Sequence, residues 1–155
     1  KIKIEKKKIK KLENQLCLIY TKGIRNSGKI IKDQKTEKNL GYYDKIKSLV
    51  KPIEQSIKDG KYRELGRLLN IHWKLKQNLS KNISNKKIDK MYGKLINNKN
   101  FIGGKIMGAG GGGFLLMVVE NKKNAEIFLK KNKFNFTSIK FTESGSKIIQ
   151  NDINH

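Results

Sequence analysis

Six consecutive residues, Gly108-Ala109-Gly110-Gly111-Gly112-Gly113, stand between two apolar runs, FIGGKIM at 101–107 and FLLMVV at 114–119. No regular element takes up such a run cheaply, because each glycine costs about 0.5 to 1 kcal/mol of extra backbone entropy relative to alanine. The flanking runs read as buried strands, so the segment predicts a hairpin built around glycine. Two readings of the loop stay open at this stage. One is a flexible turn. The other is a loop whose bare peptide N–H groups admit an anion or another backbone, the physical basis of phosphate-binding nests. Context excludes two familiar phosphate motifs. Gly108, Gly110 and Gly113 satisfy G-x-G-x-x-G, but a strand pattern follows where a dinucleotide fold needs a helix. No Gly-Lys-Ser/Thr follows the glycines either, as a Walker A loop requires.

The rest of the chain predicts alternating helices and strands. Residues 15–21 (QLCLIYT) form a short apolar run bounded by charge on one side and Lys22-Gly23 on the other, which reads as a buried strand. Ser27-Gly28 opens a helix carrying Ile30 and Ile31, and a second helical stretch places Ile46, Leu49, Val50, Ile53 and Ile57 on one face. Pro52 inside that stretch either kinks the helix or starts a new one. After the Asp59-Gly60 turn, Tyr62, Leu65, Leu68, Leu69, His72, Leu75 and Leu79 recur at helical spacing as far as Ser80. Ser84 is the N-cap candidate for a further helix bearing Ile88, Met91, Tyr92, Leu95 and Ile96. A charged helix over 121–131 and an alternating strand over 134–142 complete the order β, several α, β, β, α, β. That order fits an α+β fold of ferredoxin-like split β-α-β type: a four-stranded antiparallel sheet with helices on one face and extra helices in the first crossover.

At 155 residues the chain is the size of one domain, 1–155. Residues 1–14 read as a basic connector, because Ile2, Ile4 and Ile9 interrupt the lysine run and suggest strand or connector rather than a disordered arm. The first residue is Lys1 rather than Met, so the chain is expected to be a piece of a longer one. A formal charge of +23 raises the alternative of a basic ferredoxin-like nucleic-acid-binding module. Only Arg25, Arg63 and Arg67 carry the guanidinium suited to bidentate phosphate and base contacts; the other basic residues are lysines set among many Asn and Ile, as AT-rich codons would produce. No specific nucleic acid is therefore expected. The lone Cys17 excludes an internal disulfide and points to the cell interior, with a cytoplasmic location expected. No apolar stretch of about 18 residues calls for a membrane.

The segment Gly104-Lys105-Ile106-Met107-Gly108-Ala109-Gly110-Gly111-Gly112-Gly113 resembles the third motif of the GHMP small-molecule kinases, near their carboxy terminus. The resemblance extends through YTKGIRNS at 20–27, LLNIHWKLK at 68–76, Ile83-Ser84-Asn85 and Ile88-Asp89, and is greatest with the D-glycero-D-manno-heptose 7-phosphate kinase branch. It implies a GHMP kinase C-terminal domain, the substrate-side half of an ATP-dependent kinase that phosphorylates a hydroxyl of a heptose phosphate or related sugar. Cleft-lining, loop-supporting roles are implied for Gly103, Gly104, Gly108, Ala109, Gly110, Gly111, Gly112 and Gly113. Lys105 falls within the motif and either contacts an anion or is an exposed strand charge. The family's P-x-x-x-G-L-G-S-S-A loop is absent from these 155 residues, and the family's segment carrying the aspartate near the substrate hydroxyl is not recognised among them. Phosphoryl transfer depends on positioning and charge stabilisation, so ATP, Mg2+ and the catalytic residues are expected in an N-terminal kinase domain outside this chain, which alone is expected to bind no cofactor and to be inactive.

Among the remaining polar residues, Arg25 follows the first strand and is the best candidate for a substrate phosphate or carboxylate. Ser27 is a helix cap or a substrate contact. His72 has no second ligand at metal-binding spacing and reads as a packing histidine, Trp73 as core, and His155 as terminal. No metal site is expected.

Overall fold

A computed structural model describes residues 4–23 and 27–142. In chain order the elements are α1 (Lys6–Asn14), β1 (Leu16–Tyr20), α2 (Ser27–Gln34), a 3-10 turn (Glu37–Asn39), α3 (Leu40–Ser48), α4 (Val50–Asp59), α5 (Tyr62–Gln77), α6 (Lys86–Ile96), β2 (Phe101–Ile106), β3 (Phe114–Val119), α7 (Lys122–Lys131) and β4 (Phe136–Ser138).

The four strands pair antiparallel throughout, in the spatial order β2-β3-β1-β4, as a split β-α-β arrangement demands. Register is fixed by pairs such as Cys17↔Met117, Ile19↔Leu115 and Gly104↔Met117. Successive side chains of a strand point to opposite faces. Cys17, Ile19, Leu115, Met117 and Val119 share one face and join a core with Ile88, Tyr92 and Leu95 of α6, Ala125 and Leu129 of α7, and Trp73. Leu16 and Val118 lie on the other face, against Leu12 of α1, Ile53 and Ile57 of α4, and Tyr62, Leu65 and Leu69 of α5.

Helices thus cover both faces, a correction to the one-sided arrangement expected from element order. The physical cause was present in β3, where FLLMVV has no polar alternation: a strand buried on both sides reads as a continuous apolar run. Within residues 1–14, read from sequence as strand or connector, the structure describes no strand. Most of this segment is helix α1, because lysine is a good helix former and Ile9 and Leu12 fall at i, i+3 on one side. The hydroxyl of Tyr62 donates to the Lys8 carbonyl at 2.7 Å and ties α1 to α5.

Pro52 starts a helix rather than kinking one. Leu49 separates α3 from α4, and Pro52 occupies the third position of α4, where a backbone N–H has no intrahelical acceptor to lose. The Asp59-Gly60 turn is present as predicted, with Gly60 at φ 70° ending α4. The cap of α6 is Asn85, whose side-chain oxygen accepts from the amides of Lys87 and Ile88 at 3.0 and 3.1 Å. Ser84, the expected cap, instead donates its hydroxyl to Asp89 Oδ1 at 2.5 Å. β4 is only three residues long, shorter than the predicted 134–142, and the charged helix over 121–131 is α7 almost to the residue.

Candidate functional site

β1 and β2 both run antiparallel to β3, which lies between them, so their carboxy-terminal ends are at the same end of the sheet, and the glycine loop sits at that end. The loop is held from four directions. The amide and the hydroxyl of buried Thr21 both donate to the Gly113 carbonyl at 2.9 Å. The Gly111 amide donates to the carbonyl of Ile83, in the α5–α6 connection, at 2.8 Å. Gln34 of α2 donates its side-chain amide to the Ala109 carbonyl at 3.1 Å, and the Lys76 ammonium of α5 donates to the Gly108 carbonyl. Of the two readings left open by the sequence, the loose turn is therefore excluded.

Close backbone approach explains why glycine is needed here. Gly112 has φ 152°, and a Cβ on it would stand 2.8 Å from the Gly23 carbonyl oxygen. Gly110 has φ 117°, and its Cβ would meet the Ile83 backbone at 3.0 Å. Two hollows flank the loop. One, of about 580 Å³, is lined by Thr21, Lys22, Gly23 and the start of α6; the other, of about 300 Å³, by Tyr20, Gly23, Met107, Gly108, Gly113 and Phe114. The rings of Tyr20 and Phe114 pair across the strands at 5.4 Å and are partly exposed.

Lys105 is half-buried and points toward α5, where its Nζ lies 3.5 Å from His72 Nε2. Lys76, one helical turn beyond His72, adds a second ammonium to this spot. Burial and the two neighbouring lysines push the His72 imidazole down to about 4, so it is neutral at ordinary pH. Burial, with Lys105 beside it, pushes Lys76 down to about 8, and burial lowers Lys105 as well. A group of this kind attracts negative charge.

Gly103 and Gly104 are buried within β2. A Cβ on Gly103 would stand 2.1 Å from the Gly66 carbonyl oxygen of α5. The Tyr92 hydroxyl accepts from the Gly104 amide at 3.3 Å and donates to Asn70 Oδ1 at 2.7 Å. Gly103 lets α5 close upon β2, whereas a Cβ on Gly104 would run into the Leu116 carbonyl and the Met117 sulfur of β3, and burial pushes the Tyr92 hydroxyl up to about 12. Gly108, Ala109, Gly110, Gly111, Gly112 and Gly113 form the loop itself. Ser27 is the first residue of α2. Arg25 and His155 lie outside the described residues. Trp73 is core, 6.2 Å from Tyr92, and the Cys17 thiol is buried and pushed up to about 12, which leaves it inert.

Thr21, Gln34, Asn70, Lys76, Ile83 and Tyr92 receive no site role from sequence, although Gln34 and Tyr92 read as helix-face residues and the others lie within the segments of family resemblance. Only Lys76 gave a signal, its i, i+4 spacing from His72; the others act through long-range contacts that no local pattern encodes. Among the described residues no three His, Cys, Asp or Glu side chains converge. No helix among them is long and apolar enough to cross a membrane.

A family model described as "GHMP kinases C terminal" matches residues 53–137. The D-glycero-alpha-D-manno-heptose 7-phosphate kinase of Campylobacter jejuni is 27% identical over 143 residues, covering 88% of this chain and 42% of the relative. The mevalonate kinase of Methanococcus jannaschii superposes with a TM-score of 0.59 at 26% identity, covering 88% of this chain and 42% of the other. L. major mevalonate kinase, solved with R-mevalonate, gives a TM-score of 0.68 at 17% identity over 81% of this chain and 42% of its own, a likeness of fold. The chain thus spans less than half the length of these relatives. With the antiparallel sheet and the gripped glycine loop between β2 and β3, these matches show that the chain belongs to the GHMP kinases, as their carboxy-terminal domain.

Proposed function

We propose that the chain is the substrate-side half of an ATP-dependent sugar kinase that transfers the γ-phosphate of ATP to a hydroxyl of a heptose phosphate or a closely related sugar phosphate. The observation that carries this reading is the glycine loop, held by Thr21, Gln34, Lys76 and Ile83 and bordered by a hollow with an aromatic pair and a cluster of cations. A fixed loop of bare backbone beside positive charge suits a reaction whose catalysis is mostly positioning and charge stabilisation. The 27% identity to the heptose 7-phosphate kinase supports the sugar-phosphate substrate class.

In this reading the nucleotide, Mg2+ and the proton-accepting residue belong to an N-terminal kinase domain, the partner of this one. The chain's residues then shape the substrate side of the cleft, and the isolated chain is inactive. We assign the enzyme to the cytoplasm, with no specific nucleic-acid partner. The test is an ATP-coupled assay with seven-carbon sugar phosphates, run on this domain joined to an N-terminal GHMP kinase domain and on the chain alone. ATP-dependent phosphorylation by the former and none by the latter is expected. Turnover by the chain alone, or by the joined enzyme only on acceptors without phosphate, overturns the proposal.

A further inference from the structure

The cluster of Lys76, Lys105 and His72 is not explained by packing. His72 and Lys76 are four residues apart on α5 and so share one side of the helix, and Lys105 reaches them from β2. An ammonium carries three N–H donors. Lys105 directs one toward His72 Nε2, and Lys76 directs one to the Gly108 carbonyl. His72 Nδ1 is buried without a partner, and among the described residues no carboxylate pairs with either lysine. Two half-buried cations beside a neutral imidazole repel each other and hold unused donors. Such a grouping is electrostatically satisfied by an anion with several acceptor oxygens.

The position of the cluster narrows the ligand. Gly108, which Lys76 holds, also lines the hollow under Tyr20 and Phe114, and Met107 of that hollow follows Lys105 by two residues. The cluster and the hollow are thus joined through Gly108 and the Lys105–Met107 stretch of chain. We propose that Lys76 and Lys105, with His72 beside them, bind a phosphate monoester dianion: the phosphate that a sugar-phosphate substrate already carries, distinct from the phosphoryl group being transferred. The identity of the ligand rests on the kinase reading above; the anion site itself does not.

The chain contains two histidines, so a His72→Asn control assigns the imidazole 15N resonances directly. Inorganic phosphate, sedoheptulose 7-phosphate and sedoheptulose are titrated at constant ionic strength. His72 should shift saturably with the two phosphates and not with the free sugar. Lys76→Met and Lys105→Met should each weaken phosphate binding by about tenfold or more, the scale of one lost charge-assisted contact, while Lys123→Met on the exposed surface of α7 leaves it unchanged. Each variant's fold is checked by circular dichroism, and because the lysines sit on different elements either variant tests the site alone. An unmoved His72 signal, or equal affinity in folded Lys76→Met and Lys105→Met, overturns the site. Two results separate this inference from the reading on which its ligand rests. A joined kinase that phosphorylates sugar phosphates with an unchanged KM in Lys105→Met overturns the phosphate assignment and leaves the kinase reading standing. Phosphate binding lost in both variants, in an enzyme that turns over only unphosphorylated acceptors, overturns the ligand's identity and leaves the anion site standing.

Discussion

Gly112 lies directly on Gly23: a Cβ on Gly112 would stand 2.8 Å from the Gly23 carbonyl oxygen, and one on Gly23 would stand 3.2 Å from the Gly111 carbonyl oxygen. Two chain segments remote in sequence therefore meet backbone to backbone at the end of the sheet, and neither can retreat, since Thr21 and Ile83 anchor the loop on both sides. Gly112→Ala combines this clash with a φ that alanine rarely adopts, so it should cost about 1 to 3 kcal/mol in a urea melt. In the joined kinase the displaced loop should lower turnover per folded molecule by about 100-fold, because ~1 Å of misplacement has that effect on a reaction governed by positioning. Near wild-type turnover in a folded Gly112→Ala enzyme would show that the loop does not position reacting groups.

Gly103 shows the opposite balance of effects. Its missing Cβ is the space into which the Gly66 carbonyl fits, and Gly66 in turn leaves room for Ile102, whose Cγ2 would be 2.7 Å from a Cβ there. Gly103→Ala has to separate α5 from β2 along a contact that is mostly backbone, and overpacking of this kind costs about 1 to 3 kcal/mol or more. The melt should move at least as far as for Gly112→Ala, whereas turnover per folded molecule falls much less, since Gly103 is buried away from the loop. A loss of activity without a loss of stability would contradict the packing role.

Tyr92 fastens the same edge strand by a polar contact. Removing its hydroxyl in Tyr92→Phe leaves Asn70 Oδ1 and the Gly104 amide without their shared partner in a buried setting. The expected cost is about 1 to 3 kcal/mol, the penalty for buried polar groups left unsatisfied. Amide exchange at Gly104 should quicken in step. Unchanged stability together with unchanged exchange would mean that water replaces the hydroxyl.

Most of the architecture was legible because it rests on local chemistry. The glycine run between FIGGKIM and FLLMVV gave β2, the loop and β3, and the Asp59-Gly60 turn and the apolar stripes of α5 and α6 gave the helical crossover. What sequence missed depends on contacts between distant residues. Nothing local to Ile83 announces that its carbonyl anchors Gly111, and nothing near Gly103 announces Gly66. Asn85 displaced Ser84 as the cap of α6 because either side chain is suited to that role and the neighbouring Asp89 engages the serine. Lys105 was legible as part of a motif, but its grouping with His72 and Lys76 required β2 to be set against α5.

That grouping makes stability depend on pH in two separate windows. The His72 imidazole is held at about 4, by burial first and then by Lys105 and Lys76, against about 6.5 for an exposed histidine. Between those values the unfolded chain binds a proton that the folded chain does not, so stability falls as pH drops from about 6.5 toward 4. Lys76 is pushed down to about 8 by burial and then by Lys105, while its unfolded value stays near 10.5. Here too the unfolded state holds more protons, so Lys76 contributes stability that rises with pH from about 8 to about 10.5; Lys105, also lowered by burial, adds in the same direction, and the buried Cys17 thiol, held up at about 12, opposes both above about 9. His72 and Lys76 are partly exposed, so solvent screening keeps each slope shallow. Urea melts across pH 4 to 10.5 measure both windows. His72→Asn should flatten the acidic one and leave the basic one, and Lys76→Met should reduce the basic one to the share of Lys105 and soften the acidic one, because a cation that holds the imidazole down is gone. The lowered carboxyls of Asp33, Glu54 and Asp59 contribute their own loss of stability further into acid, which persists in both variants. Added phosphate at a fixed pH near 7 should raise the melting midpoint of the wild type and raise it less in Lys76→Met. A wild-type acidic limb that His72→Asn leaves unaltered would show that the imidazole is neither shielded from water nor facing the lysines.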